Sequence, residues 1–358
     1  MVKLFLSNIL VLTLLAFPRI LAAQSAPEGA ENIIEVDVPA PSLAGNLLGT
    51  PSVQSVAIYL PPSYSNQPDH RFPVMYLLHG IFDDYGVWVE NFEVPALLDR
   101  MISNGELPEM IVVMPNGGNK YGGGYYRNSS VSGNWADYIA DDLVKYVDEN
   151  WRTLSHPGSR AVVGHSMGGY GALNLAMTRP GVFSVIWALS PCCLTPKQDL
   201  SFGNDAWRRA SEIEKPGDIE NLLDERDFYP IAILGIVTAF SPDPNAEPIF
   251  GGFPFEIIQG EIVLNGESFD AYVDEFPVRQ VRDAREALRD LRGLGMGVGL
   301  GDQFLHIPTG TLEFSQRLGA ERIPHQLDVY AGDHRQLIAS RLEQIVFPWV
   351  VERLVFSE

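Results

Sequence analysis

The residues in this chain best suited to chemistry are Ser166 and its neighbours, in Gly164-His165-Ser166-Met167-Gly168-Gly169. A serine between glycines as G-x-S-x-G is the pattern of a sharp strand-to-helix turn that exposes the hydroxyl. Side chains at Gly164 or Gly168 would collide with the neighbouring strand or helix. The flanks supply the context that such a turn needs. Ser159 to Val163 reads as a short buried strand running in. Tyr170 to Thr178 reads as a helix running out, stopped by Pro180 and Gly181.

A serine hydroxyl is a weak nucleophile. It needs a base within hydrogen-bond reach and a third group to orient that base. His306, His325 and His334 follow Ser166 in the chain. His325 precedes an apolar run and falls at the wrong end of a strand. His306 lies close after Asp302. His334 follows the last strand, in Tyr330-Ala331-Gly332-Asp333-His334, at the strand end where the serine turn also opens. His334 is therefore the expected base. Asp302, in Gly299-Leu300-Gly301-Asp302, is the expected orienting acid. Asp333 is poorly placed to bond its own neighbour's ring and suits a helix cap. A developing oxyanion needs two backbone N–H donors. One is expected from Met167, just after the nucleophile. The other is expected from Ile81, in the loop Leu78-His79-Gly80-Ile81.

The elements that must hold these residues follow from the apolar pattern. Val53 to Leu60 ends at Pro61-Pro62 and reads as an early, edge-like strand. Phe72–Leu78, Met110–Met114, Phe183–Leu189, Gly297–Leu300 and Gln326–Tyr330 read as further short strands. Trp135 to Trp151 is an amphipathic helix with Ile139, Leu143, Val144 and Val147 on one face, and Gln336 to Val355 is a closing helix. Short apolar strands alternating with helices predict an α/β fold with a mostly parallel central sheet and helices on both faces. Residues 194–276 break this rhythm. They are rich in Pro, Gly and aromatics and too long for an ordinary connection, so they are expected to form a cap-like insertion beside the site. Phe240 and Phe253 in that insertion, with Tyr125 and Tyr126 from a glycine-rich loop expected at the site rim, are candidate substrate-binding aromatics.

The N-terminus has Lys3, an apolar run from Leu4 to Phe17 and small residues at Leu21-Ala22-Ala23. This is the pattern of an export signal over residues 1–23, with a lead-in over 24–52 and the main domain over 53–358. The apolar run is short for a membrane span, and no lipid-anchoring cysteine follows it. The expected location is secreted or periplasmic, without stable membrane association. The chain has 358 residues, 46% of them hydrophobic, enough for a sizeable core. Its formal net charge is −20. Removing residues 1–23 deletes Lys3 and Arg19 and no acids, so 23 bases then face 45 acids. That balance argues against nucleic acid and anionic lipid as partners. Cys192 and Cys193 are the only cysteines. Adjacent cysteines rarely meet disulfide geometry, so two packed thiols are expected. Without a spaced Cys/His set, no zinc or other metal site is expected.

Several motifs occur together and in order. They are Tyr76-Leu77-Leu78-His79-Gly80, Trp88, Val113 to Gly118, Arg160 to Gly169, and Gly332-Asp333-His334. In this set the chain from about Val53 onward resembles the esterase D family. That family includes S-formylglutathione hydrolases, secreted feruloyl and acetyl xylan esterases, and mycolyltransferases. The resemblance implies an α/β-hydrolase fold, a cofactor-free Ser-His-Asp site and oxyanion donors at Ile81 and Met167. It also brings Trp88 forward as a substrate-contact candidate. Asp83 to Trp88 is similar to the mycolyltransferases, but His79 and Phe82 replace an acidic and a basic residue that contact trehalose there. The expectation is a secreted serine carboxylesterase that takes a small-molecule or carbohydrate-linked ester through an acyl-enzyme on Ser166. The alternatives are an acyltransferase of the mycolyltransferase type and a non-catalytic binding protein of the same fold.

Overall fold

The computed structural model describes residues 32–357. Its frame is one eight-stranded sheet. In chain order the strands are β1 (Ile33–Pro39), β2 (Val53–Tyr59), β3 (Val74–Leu78), β4 (Ile111–Pro115), β5 (Arg160–His165), β6 (Val185–Leu189), β7 (Gly293–Gly299) and β8 (Gln326–Tyr330). Their spatial order is β1-β2-β4-β3-β5-β6-β7-β8. From β4 to β8 every pairing is parallel, while β2 runs antiparallel to both neighbours. The middle strands β3, β4, β5 and β6 are buried along their whole length. Aliphatic runs without polar alternation behave this way when helices cover both faces of a sheet.

Two apolar clusters lie on opposite faces. One gathers Val74, Tyr76, Val162 and Ile186 with the helix after the serine turn and the insertion. The other gathers Met75, Leu77, Val163 and Trp187 with the Val94–Ser103 helix and the C-terminal helical segments. Alternate residues of the same strands feed each cluster, as the two-residue strand period requires. The expected helix over Trp135–Trp151 forms as Trp135–Asp137, a π-helical Tyr138–Leu143 and Val144–Asn150.

The N-terminal boundary differs from expectation. β2 is not an edge. Ile33–Pro39, inside the segment expected as a lead-in, pairs antiparallel with all of Val53–Tyr59 and takes the edge position. Alternation in Ile-Ile-Glu-Val-Asp-Val buries Val38 and leaves Glu35 and Asp37 exposed. Such a strand gains most of its stability by pairing, and its acids blunt the outer edge. The expected export signal at residues 1–23 lies outside the described residues.

Residues 194–276 fold into short helices, α2 (Phe228–Phe240) and a hairpin of Phe255–Ile258 with Glu261–Leu264. The helix after the serine turn, α1, spans Met167–Thr178, and α3 spans His306–Ala320. Among the described residues no helix is long and apolar enough to cross a membrane.

Candidate active site

The site assembles at the carboxyl ends of β3, β5, β7 and β8. Register brings Leu78 opposite Gly164, and Gly299 opposite Tyr330. The segments after these strands therefore open on one edge of the sheet. Ser166 sits between β5 and α1 with φ 57° and ψ −116°, a strained backbone for a side-chain-bearing residue. A Cβ on Gly164 would lie 1.9 Å from the Gly168 carbonyl oxygen, and one on Gly168 would lie 1.9 Å from the Leu78 carbonyl oxygen. Only glycine fits at either position, which is why the pattern has the form it does. Three backbone bonds clamp the turn. Ser166 N–H donates to Leu189 O (2.9 Å), and Ser166 O accepts from Tyr170 N–H (3.0 Å) and Cys192 N–H (3.1 Å).

His334 and Asp302 meet at the same edge. His334 Nδ1 donates to Asp302 Oδ2 at 2.7 Å, leaving Nε2 as the basic nitrogen. The other carboxylate oxygen, Asp302 Oδ1, accepts from Phe304 N–H at 2.9 Å. Ser166, His334 and Asp302 are all buried. Ser166 and His334 line one cavity of about 180 Å³, with Gly80, Ile81, Tyr125 and Phe304. Among the described residues, neither Ile81 N–H nor Met167 N–H has a hydrogen-bond acceptor. Gly80 lies against the serine: a Cβ there would be 3.3 Å from Ser166 Cβ.

His79, His165 and His325 each have other hydrogen-bond partners, while His306 lines the same cavity as Ser166. His79 Nδ1 donates to Gly80 O and its Nε2 accepts from Gly117 N–H, both at 2.7 Å, so it ties two site loops together. Burial lowers its pKa and keeps it neutral. His165 Nε2 donates to His334 O, and burial pushes its pKa well below the usual value. His325 bonds Ser315 and Ile323 O, away from the site. Asp333 accepts from the N–H groups of Arg335 and Gln336. It caps the turn that leads into the last helices.

Of the five aromatic residues expected to contact substrate, Tyr125 lines the cavity. The other four do not. Trp88 is wholly buried on the opposite face of the sheet and packs on Phe92. Tyr126 is buried beneath the His79-Gly80 turn, its hydroxyl donating to His79 O. Phe240 packs between Tyr170 and Phe276, and Phe253 packs on Trp207 and Phe255. The loop Tyr121–Tyr126 is no exposed rim; its three tyrosines are buried. The cavity's aromatic wall is instead Phe228, Tyr229 and Phe304, with Ile236 and Ile307 beside it. Phe228 stacks on Phe304 (5.1 Å), and Phe304 meets the His334 ring edge-on (5.0 Å). Phe228 and Tyr229 come from the first turn of α2, and Ala232 and Ile236 continue the same wall along that helix. Among the described residues, no group of three or more His, Cys, Asp or Glu side chains is arranged to hold a metal ion.

The mostly parallel sheet and the serine turn define an α/β-hydrolase fold. The chain belongs to the "Putative esterase" family, whose model matches residues 50–337. An esterase of Mycobacterium tuberculosis is 30% identical over 212 residues, covering 53% of this chain and 43% of that protein. An endo-1,4-beta-xylanase/feruloyl esterase of Xylanibacter ruminicola is 28% identical over 153 residues, covering 42% of this chain and 21% of that protein. The chain thus spans less than half the length of the curated relatives it matches. Among solved structures, a ferulic acid esterase superposes with a TM-score of 0.61 at 20% identity, covering 90% of this chain and 98% of the other. An S-formylglutathione hydrolase from Agrobacterium tumefaciens superposes with a TM-score of 0.58 at 17% identity, covering 90% and 95%. Likeness at that identity speaks to the fold.

Proposed function

We propose that this protein is a serine carboxylic ester hydrolase working through an acyl-enzyme on Ser166. The observation that carries the reading is the 2.7 Å bond from His334 Nδ1 to Asp302, at a cavity shared by His334 and the strained Ser166. His334 Nε2 takes the hydroxyl proton as Ser166 Oγ attacks the ester carbonyl. The free N–H groups of Ile81 and Met167 hold the oxyanion. His334 returns the proton to the leaving alcohol. Water, activated by the same imidazole, then releases the acid. Asp302 keeps the ring in the tautomer that leaves Nε2 basic and stabilises the imidazolium.

The cavity wall of Phe228, Tyr229, Phe304 and Ile236 suits an apolar or aryl acyl group. Leu200, Phe228, Tyr229, Ala232 and Ile236 all come from residues 194–276, which supports reading that insertion as the cap that sets substrate choice. Feruloyl esterases among the relatives and structural neighbours point the same way. Lys3 and the apolar run that follows support export, and hence an extracytoplasmic ester substrate.

The test is hydrolysis of a panel of acetate, butyrate, benzoate and feruloyl esters, with glycerol and trehalose as competing acceptors, by wild type and Ser166→Ala. Expected are turnover of aryl-acyl esters and a loss of at least about a thousandfold in the variant. A tenth of wild-type turnover surviving in a folded Ser166→Ala sinks the assignment.

A further inference from the structure

The cavity holds a second group of reactive side chains that the ester mechanism does not use. Cys192, Cys193 and His306 line it together with Ser166 and His334. Both cysteines are free thiols. His306 opens α3, and its Nδ1 donates to Asp199 Oδ1 at 3.0 Å. Asp199 is fixed in turn by His306 N–H (2.6 Å) and by the Tyr229 hydroxyl on its other oxygen (2.7 Å). The second ring nitrogen, His306 Nε2, is buried and makes no hydrogen bond of good geometry among the described residues. Cys192 lines the same cavity as this ring.

A carboxylate-backed imidazole with an open nitrogen and a free thiol thus share one cavity wall, the parts that activated cysteines use. The position of Cys192 is also fixed, because its N–H donates to the Ser166 carbonyl. A thiol at this point stands beside the serine turn and faces the same space.

We infer that Cys192, backed by His306 and Asp199, is a second nucleophile of this cavity and a site of reversible covalent capture of small disulfides and other soft electrophiles. In the exchange, Cys192 Sγ attacks one sulfur of R–S–S–R. The Cys192–S–S–R bond forms, the original S–S bond breaks, and R–S⁻ leaves with the proton that His306 held. The disulfide is the oxidant, and a thiol reductant reverses the step. The attached group occupies a cavity of about 180 Å³, so it excludes an acyl group from Ser166.

The electrostatics agree with the geometry. Burial alone would raise the Cys192 pKa, but the thiol of Cys193 and the imidazole of His306 bring it down to about 7. Burial alone would lower His306, but Asp199 and the Cys192 thiol lift it to about 9. Cys193 moves the other way: burial and its neighbour's charge push it well up, so it stays a thiol. The groups facing Cys192 are Cys193 on its own loop, His306 on α3, Asp199 and Tyr229 behind that ring, and Tyr125 across the cavity. Asp83, His165, His334 and Arg335 line the same cavity, and among the groups that shift the Cys192 thiol His306 is the base.

The experiment is iodoacetamide labelling of the full-length protein across pH 5 to 9, read by peptide mass spectrometry. Cys192 should label, Cys193 should not, and the rate should rise with a midpoint near 7. His306→Gln should move that midpoint up toward the ordinary thiol value of about 8.5 and slow labelling at pH 7 about tenfold. Ser166→Ala should label like wild type, so this result stands or falls apart from the esterase reading. With 2-hydroxyethyl disulfide, a mixed disulfide at Cys192 should stop fluorophosphonate capture of Ser166, and reductant should restore it. No labelling of folded wild type, labelling at Cys193, or a midpoint near 8.5 overturns the inference even if His306→Gln does not fold. A mixed disulfide that leaves fluorophosphonate capture intact overturns the shared cavity.

Discussion

His165 Nε2 lies 2.9 Å from the carbonyl oxygen of His334, so the residue preceding Ser166 holds the loop that carries His334. Burial keeps the His165 ring neutral, and the neutral ring donates through Nε2. The rings of His165 and His334 also lie 4.6 Å apart. His165→Ala should therefore lower kcat about tenfold with little change in KM and without loss of fold, because it frees the base and not the substrate. Steady-state kinetics with circular dichroism decides this, and a change confined to KM contradicts it.

The two imidazole–carboxylate pairs in the cavity should separate cleanly. His334→Ala should cost as much turnover as Ser166→Ala, several orders of magnitude, and Asp302→Asn should cost at least about a thousandfold. His306→Gln should cost far less, because its carboxylate partner is Asp199 while Asp302 pairs with His334. Equal losses in folded His334→Ala and His306→Gln leave the base unassigned.

Gly168→Ala tests the turn itself. The added methyl would sit 1.9 Å from the Leu78 carbonyl oxygen, a backbone atom of a central strand that has nowhere to go. We expect a loss of about 3 kcal/mol or more, or failure to express folded protein. Chemical denaturation reads this directly. A stable, active Gly168→Ala is incompatible with the described turn.

Two buried neutral histidines give stability a definite pH dependence. His79 and His165 both have folded-state pKa values below that of an exposed imidazole, chiefly through burial. Below about 6.5 the unfolded chain binds protons that the folded chain refuses, so stability falls as pH falls. The slope is at most about 1.4 kcal/mol per pH unit for each histidine. Protonating His79 would also remove the lone pair that accepts the Gly117 N–H. The melting temperature should drop between pH 6.5 and pH 5. A flat profile over that interval would falsify the neutral state of both rings.

How much of this was legible in the sequence differs by element. Strand cores such as Val74–Leu78 and Ile111–Pro115 announce themselves because both their faces are apolar. The serine turn is legible because backbone contact forces glycine at fixed spacing. The pairing of Asp302 with His334 follows from each standing just past a strand end on the same sheet edge. β1 was also visible, as Ile-Ile-Glu-Val-Asp-Val, but alternation beside a targeting-like segment reads as a lead-in until a partner strand is known. The aromatic wall was not legible. Phe228, Phe240 and Phe253 are alike in composition and local context, and only the tertiary path of residues 194–276 decides which faces the serine. Cys192 and His306 escaped for the same reason. They are more than a hundred residues apart in sequence and meet only where the loop after β6 passes the start of α3.

That difference among the phenylalanines yields opposite predictions for similar substitutions. Phe228 and Phe304 stack on each other at the cavity wall, and Phe304 touches the ring of His334. Phe228→Ala should raise KM for benzoate and feruloyl esters and leave a small acetate ester nearly unchanged. Removing one stacked wall should cost about 1–3 kcal/mol in kcat/KM for the aryl esters. Phe240, by contrast, packs within 6 Å of Tyr125, Tyr170 and Phe276, and all four are buried. Truncating it opens a cavity in that core. Phe240→Ala should lose about 3–5 kcal/mol of stability while the folded fraction keeps the wild-type ranking of substrates. Phe253→Ala, half-buried against Trp207 and Phe255, should lose less and also keep the ranking. The measurement is kcat/KM for each ester, normalised to active sites titrated with a fluorophosphonate, beside denaturant unfolding of each variant. If Phe240→Ala or Phe253→Ala reorders the esters as strongly as Phe228→Ala does, substrate reaches beyond the wall of Phe228, Tyr229 and Phe304, and the acyl site extends further into residues 194–276.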